Sequence, residues 1–293
     1  MNDIYVRQNQ DEILILQYSQ RKHYEFAEKL QYFLWISMVI NICIVNNENL
    51  KVLLGRNIIT SIGVIYTIIY TIIKFAINNY IKIGAFTKEL IDCKLYKFDV
   101  TKRLINSNYT IDKLKEKAVS KKNKYKDDYM VQIQNTGKDK PPGLRNWYED
   151  RKYKDINRAI YECQCENLWW DEKLSTTYMV IFVSIGAVII GSLLLANKDT
   201  TILVLIFGII IPGIQIIIEL LTQLYFFNEI VKKYRTKVGM LRKEIEKDMA
   251  AIKMERLLEL QDIILERRLY KFLIPTMLHR ILSKKYHELR QAL

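Results

Sequence analysis

Three histidines and four cysteines are all that 293 residues offer as imidazole or thiol groups, and their spacing excludes most of what such groups do. None of His23, His279 and His287 has a second His or Cys at ligand distance in the sequence, so a histidine-based zinc site would need convergence from far apart. Cys163 and Cys165 are one residue apart rather than two, and no second pair follows. Packing thiols in a reducing cytoplasm are the expectation there, with metal binding or a redox switch as the other use. Cys43 reads as a small packing or lipid-facing residue. A glycine-rich phosphate loop, a His-Glu-x-x-His helix and a nucleophile elbow are all missing, so no enzyme, metal or cofactor is expected. Period-two alternation is missing too, which argues against a sheet. With four Cys and a first apolar run that starts only near Leu30, neither a disulfide scaffold nor a secretory leader is expected.

Charge itself is absent from four stretches. The chain carries 45 Lys+Arg against 32 Asp+Glu, a formal charge of +13, and its mean hydropathy of −0.04 resembles that of a soluble protein. That average hides charge-free runs at 30–47, 57–73, 174–197 and 200–218, of 18, 17, 24 and 19 residues. One bilayer crossing needs about 17 to 25 predominantly apolar residues. The fourth run holds 13 Ile, Leu, Val or Phe, which favours insertion by about 4 to 8 kcal/mol and outweighs Pro212 and Gln215. The first two hold nine each, with Asn41 inside the first; buried or in-plane helices are the other use of such runs. Paired runs with short connections predict two transmembrane helical hairpins, four spans in an all-α integral membrane protein.

Lys and Arg number 40 in the N-terminal, central and C-terminal segments but three in the two short connections, around 46–56 and 197–200. Lys and Arg near span ends stay cytoplasmic, so both termini and the middle are expected inside. The layout is then an amphipathic N-terminal helix over 1–29, a hairpin over 30–83, a helical cytoplasmic domain over 84–173, a hairpin over 174–227, and C-terminal cytoplasmic helices over 228–293. The helical spacing of Tyr234, Val238, Leu241, Ile245, Met249 and Ile252 predicts a long helix after span four, packed on the central domain or paired as a coiled coil. Pro141-Pro142-Gly143 marks a loop, Asp155 opens a helix running into span three, and Pro275 precedes a short last helix from Thr276.

Polar residues inside the runs form stripes. Thr60, Thr67, Thr71, Lys74 and Asn78 fall within about 60° of one another on a helix, and Gln215, Glu219, Thr222 and Gln223 share a face beyond the Pro212-Gly213 bend. Such stripes face a bundle interior or water, which makes them candidate pore-lining residues. They also suit helix glue, threonines bonding to their own backbone, and charges snorkelling at the boundary. Ser184, Ala187 and Gly191 put small residues on one face of span three, a packing or oligomerisation signal. Arg145, Trp147, Tyr148, Arg151 and Lys152 interleave cations with rings, a pattern that holds phosphates and stacks a base, or rests on anionic lipid headgroups.

Several local strings carry a resemblance. Arg7-Gln8-Asn9 with Gln20-Arg21, Tyr24 and Ala27, then Leu90-Ile91-Asp92-Cys93-Lys94-Leu95, then Asn146-Trp147-Tyr148 with Asp150, and finally Cys163-Gln164, Asn167, Trp170-Asp171, Leu174 and Tyr178 together resemble the SMODS- and SLOG-associating four-transmembrane effector family. Cys165 and Ser175 stand where that pattern has basic residues. The resemblance implies a bacterial defence effector of the CBASS type in the inner membrane, encoded beside a synthase of nucleotide second messengers. It further implies permeabilisation of that membrane upon infection, with a cyclic oligonucleotide as a possible ligand. Asn167, Trp170 and Asp171 join the basic-aromatic residues as candidates for signal binding or coupling. Trp147, Trp169 and Trp170 are expected to pack beneath span three, with Asp150 and Asp171 as caps or as partners of Arg151 and Lys173. A pore made by several copies is the first functional expectation, with the lipid bilayer as partner and no DNA or RNA polymer. A non-conducting scaffold that recruits a partner or anionic lipid through its basic domain is the second.

Overall fold

The computed structural model describes residues 3–105, 107–137, 139–148, 155–196, 211–249, 252–270 and 273–291. Their elements are helices: α1 (Asp3–Arg7), α2 (Asp11–Asn46), α3 (Glu48–Leu54), α4 (Arg56–Tyr96), α5 (Val100–Leu104), α6 (Ile111–Lys124), α7 (Lys126–Gln134), α8 (Ile156–Ala196), α9 (Ile211–Glu246), α10 (Met254–Leu269) and α11 (Thr276–Gln291). The expected all-α class holds, and among the described residues the lone exception is a bridge between Thr136 and Arg145. Helix starts are set by side-chain caps. Asn47 accepts from Leu50 N, Asp99 from Thr101 N and Lys102 N, Thr110 from Lys113 N, and Asp155 from Asn157 N and Arg158 N. Gly55, at φ 86, takes the left-handed turn that lets α3 end and α4 begin.

Two segments, Asp11–Val45 and Asn57–Tyr96, are helices long and apolar enough to cross a membrane. The third run ends α8, and α9 takes up the fourth from Ile211; residues 197–210 lie outside the described ones. The helices of 36 and 41 residues are about 54 and 62 Å long, well beyond the ~30 Å of hydrocarbon, so each carries a charged, water-compatible part as well as an apolar one.

The chain divides into two compact units. The first comprises Met1–Phe26, Asn79–Asp171 and Ile230–Lys271. Its interior is ordinary for a protein in water: Leu90, Ile91, Leu95 and Tyr96 of α4, Ile160 of α8, and Leu257, Leu260 and Ile264 of α10 are all buried. Val238, Leu241 and Ile245 of α9 join that core with Ile252, so the C-terminal stripe packs on the central domain. The stripe is not one helix, however. Helix α9 ends at Glu246 and α10 starts at Met254, with Lys253 extended at its N-cap and Ile252 and Leu257 both in the core; residues 250 and 251 lie outside the described ones. A smaller cluster sets Leu14 and Tyr18 of α2 against Tyr129 and Leu144, the two tyrosines meeting edge-on at 5.2 Å.

The second unit, Ala27–Asn78, Glu172–Glu229 and Phe272–Leu293, is inside out by comparison. Phe33, Ile36, Val64, Ile65, Ile68, Val180, Ile185 and Val188 are exposed, Ile72 is 63% exposed and Phe75 76%. Contiguous exposed apolar surface of this kind is stable against lipid and costly against water. Rings hold the inner side, with Trp35 near Phe182 at 5.9 Å and Tyr178 stacked on Phe182 at 5.6 Å. The small-residue face of α8 points outward instead: Ser184 and Ala187 are exposed, and among the described residues nothing lies within 4 Å of a Cβ at Gly191. Helix α11 belongs to this unit through Thr276 N, which donates to Glu28 at 2.8 Å, and Tyr286, whose hydroxyl lies 2.6 Å from that of Thr177.

The Pro-Pro-Gly loop turns tightly against the end of α7. Gly143 N donates to Thr136 O at 2.7 Å, and a Cβ at Gly143 would fall 1.9 Å from the Asn135 carbonyl oxygen. Backbone cannot give way as a side chain can, so Gly143→Ala is expected to destabilise the first unit by about 2 kcal/mol or more. Gly137→Ala, in open space, is expected to stay within about 1 kcal/mol of the parent; thermal unfolding of the detergent-solubilised chain separates the two.

Candidate functional site

Lys74 and Glu219 are each the first ionisable residue past an apolar run, the second and the fourth. In the second unit they meet: Lys74 Nζ lies 2.7 Å from Glu219 Oε2 and donates to Gln31 Oε1 at 3.0 Å. Tyr70 OH donates to Glu219 Oε2 at 3.2 Å, and Gln223 Nε2 to Glu219 Oε1 at 3.0 Å. Glu219 is only 5% exposed, so its carboxylate is sustained by its three contacts with Lys74, Tyr70 and Gln223 rather than by water. Gln31 sits one residue into the first run. Gln223 Oε1 and Gln31 Nε2 remain buried without a hydrogen bond, which leaves the cluster polar but incompletely satisfied.

The remaining stripe residues behave differently. Thr67 and Thr71 are exposed and donate to Gly63 O and Thr67 O of their own helix, at 3.0 and 2.9 Å. Asn78 and Thr222 are half-buried. The side chains of Thr60 and Gln215 lie outside the described residues.

Residues from all four strings behind the family resemblance meet in the first unit. Gln8 reads the backbone of Tyr148 as a neighbouring strand would, its Nε2 donating to Tyr148 O at 2.9 Å while Tyr148 N donates to its Oε1 at 2.8 Å. Asn9 Nδ2 donates to Asn146 Oδ1 at 2.9 Å, and Asn146 N to Asn9 Oδ1 at 3.0 Å. Asn146 has φ 53, a left-handed conformation asparagine tolerates. The Tyr148 hydroxyl lies 3.2 Å from that of Tyr96 and accepts from Asn167 Nδ2 at 2.9 Å.

Below this lies a buried charge network that sequence reasoning missed. Asp92 accepts from Arg268 Nη1 at 2.6 Å and faces Lys88 Nζ at 3.3 Å. Glu89 accepts from Arg103 Nε at 2.7 Å, and Arg103 also reaches Asp262. Gln261 bridges the carboxylates, its Nε2 donating to Glu89 Oε2 at 2.8 Å and Asp92 Oδ2 at 3.2 Å, and Gln164 Nε2 donates to Gln261 Oε1 at 3.0 Å. Burial pushes the Asp92 carboxyl up, but Arg268 and Lys88 outweigh it and hold it below the ordinary range. Burial prevails at Glu89, which is raised despite Arg103 and Arg268. Lys88, Arg103 and Arg268 face the two buried carboxylates, and Asp262, 68% exposed, supplies the third from the surface. The available signal was Lys88, Glu89 and Asp92 standing within the apolar stripe of Ile81, Ile83, Phe86 and Leu90.

Asp171 is neither a cap nor a partner of Lys173. It lies within α8 and takes Arg267 in a two-pronged pair, at 2.9 Å from Nη2 and 2.7 Å from Nε, because the i, i+2 spacing to Lys173 points the two side chains apart. Trp170 meets Trp169 edge-on at 5.5 Å. Within the basic-aromatic group, Tyr148 is 2% exposed and closed to any stacking base, Trp147 is 49% exposed, and Arg145 Nε is engaged by Ile133 O. Asp150, Arg151 and Lys152 lie outside the described residues. Among the described residues no group of His, Cys, Asp and Glu could hold a metal ion.

His23, in α2, is buried, and its Nδ1 donates to Ser19 O at 2.7 Å. Burial, with Lys121 and Lys117 nearby, pushes it down to about 4. The folded value lies below the unfolded one of about 6.5, so its contribution is whole above about pH 6.5 and fades toward pH 4, by as much as about 3 kcal/mol. Unfolding followed across that window is expected to show the decline, and His23→Gln to flatten it. Asp92→Asn, which leaves Arg268 and Lys88 without their shared carboxylate, is expected to cost about 3 to 5 kcal/mol at pH 7 in the same measurement.

A family model described as the SMODS-associating 4TM effector domain matches residues 2–292. No curated protein and no solved structure matches the chain.

Proposed function

We propose a function from the premise that this chain belongs to the SMODS-associating 4TM effector domain family: it is the membrane effector of a bacterial nucleotide-signalling defence system. In this reading a cytoplasmic signal made by a neighbouring synthase acts on the first unit, and the spans of several copies together open or disrupt the inner membrane. The protein works by rearrangement rather than by turnover, with no enzymatic step, and a cyclic oligonucleotide is the signal that suits its surplus of cations. Both termini and the first unit lie on the cytoplasmic side, where that signal is made.

The observation that carries the reading is the Lys74–Glu219 pair with Tyr70 and Gln223. Ionisable groups from the ends of two apolar runs neutralise each other inside the second unit, which suits a closed state. Separating them leaves a buried carboxylate that needs water, so opening and hydration go together. Helix α8 is unbroken from Ile156 to Ala196 and carries both Asn167, bonded to Tyr148, and the third run, which offers a route for the signal. One observation favours the scaffold reading: Thr67 and Thr71 satisfy their hydroxyls on their own backbone, as helices that line no water do.

Liposomes loaded with dye and bearing the purified full chain test this. Release is expected with one member of a panel of cyclic di- and trinucleotides and not without it. Glu219→Gln is expected to leak unprompted or lower the nucleotide needed by more than about tenfold, and the exchange of Lys74→Glu with Glu219→Lys to restore closure. Thr67→Leu and Thr71→Leu are expected to alter conductance without preventing folding. Absence of release under every nucleotide would leave the scaffold.

A further inference from the structure

Helix α6 brings Lys121 and Lys124 to a cluster of rings and Lys117 near Lys121, and among the described residues none of the three has a carboxylate partner, unlike Lys115, which pairs with Glu12 at 2.9 Å, and Lys22, held by Glu25 and Asp128 at 2.8 Å each. Lys121 Nζ stands 4.1 Å from the Phe26 ring centre and 5.7 Å from that of Tyr80; Lys124 Nζ is 5.5 Å from that of Tyr125. The rings are packed on one another, Phe26 stacked on Tyr80 at 5.9 Å and tilted to Tyr125 at 6.0 Å. Burial, then Lys124, Lys117 and Lys22, push the Lys121 ammonium below its ordinary value. A partly desolvated cation whose neighbours are cations and ring faces is short of an anion.

The chemistry of the cluster selects that anion. Its rings already contact one another and lie under Lys121, Lys124 and Lys22, so what the cluster presents is ammonium groups, which are all that a phosphate needs. Phe26 stands four residues ahead of the first apolar run in α2, and Tyr80 seven beyond the second in α4. Aromatic residues and lysines that flank apolar runs are the ordinary occupants of the headgroup layer. The geometry points to Lys121 and Lys124, seated on Phe26, Tyr80 and Tyr125, with Lys117 close enough to add its charge, as a site for the phosphate of an anionic phospholipid headgroup. It rests on the membrane reading but not on a pore or a nucleotide signal.

The test uses the full chain in nanodiscs of mixed phosphatidylcholine and phosphatidylglycerol, with the lipid retained after extraction into mild detergent counted by native mass spectrometry and no nucleotide present. The parent is expected to retain phosphatidylglycerol about tenfold over its share of the bilayer. Lys117→Gln, Lys121→Gln and Lys124→Gln together are expected to abolish that enrichment, while Lys121→Arg keeps it. Lys102→Gln, Lys140→Gln and Lys253→Gln, of the same net charge, are expected to leave it intact. Equal enrichment in the first triple variant and the parent overturns the proposal, as does displacement of the lipid by a soluble cyclic dinucleotide at constant bilayer composition. Since no dye release enters, failure of the pore reading leaves this result standing, and the reverse holds too.

Discussion

Stripping charge from a stretch of helix long enough to cross hydrocarbon forces the ionisable groups to the ends of that stretch, where they have little water and must find one another. The contact of Lys74 with Glu219 is what this constraint produces in the second unit. Each residue ends an apolar run, and each is tolerable there because the other supplies the opposite charge at 2.7 Å. Tyr70, Gln31 and Gln223 add hydrogen bonds that the exposed apolar flank cannot.

The first unit meets the same requirement with a larger set of groups. Its core holds Asp92, Glu89, Lys88, Arg103 and Arg268 among leucines and isoleucines, bridged by Gln261 and Gln164. Such a network adds little stability over well-packed apolar residues, yet it punishes every alternative register by leaving a buried charge unpaired. It therefore ties α4, α5, α8 and α10 to one arrangement. Gln8 and Asn9 extend the same control to the loop ending at Tyr148, using side-chain amides to occupy backbone groups of Asn146 and Tyr148.

Several residues behind the family resemblance thus serve one physical purpose, satisfaction of polar groups removed from water. Gln8, Asp92, Tyr148 and Gln164 come from four separate stretches and are all buried in the first unit, with Asn9, Asn146, Asn167 and Asp171 bonded around them nearer the surface.

The helical class, the apolar runs and the long helices through them were determined by the sequence alone, since periodicity and the absence of charge are properties of a single segment. The break between α9 and α10, the pairing of Asp171 with Arg267 rather than Lys173, and the burial of Tyr148 beside an exposed Trp147 were decided by tertiary structure. Each depends on which distant segment arrives opposite a given side chain. A polar residue announces that it needs a partner; only the folded chain selects which one, because the selection is made by the geometry of every other contact at once.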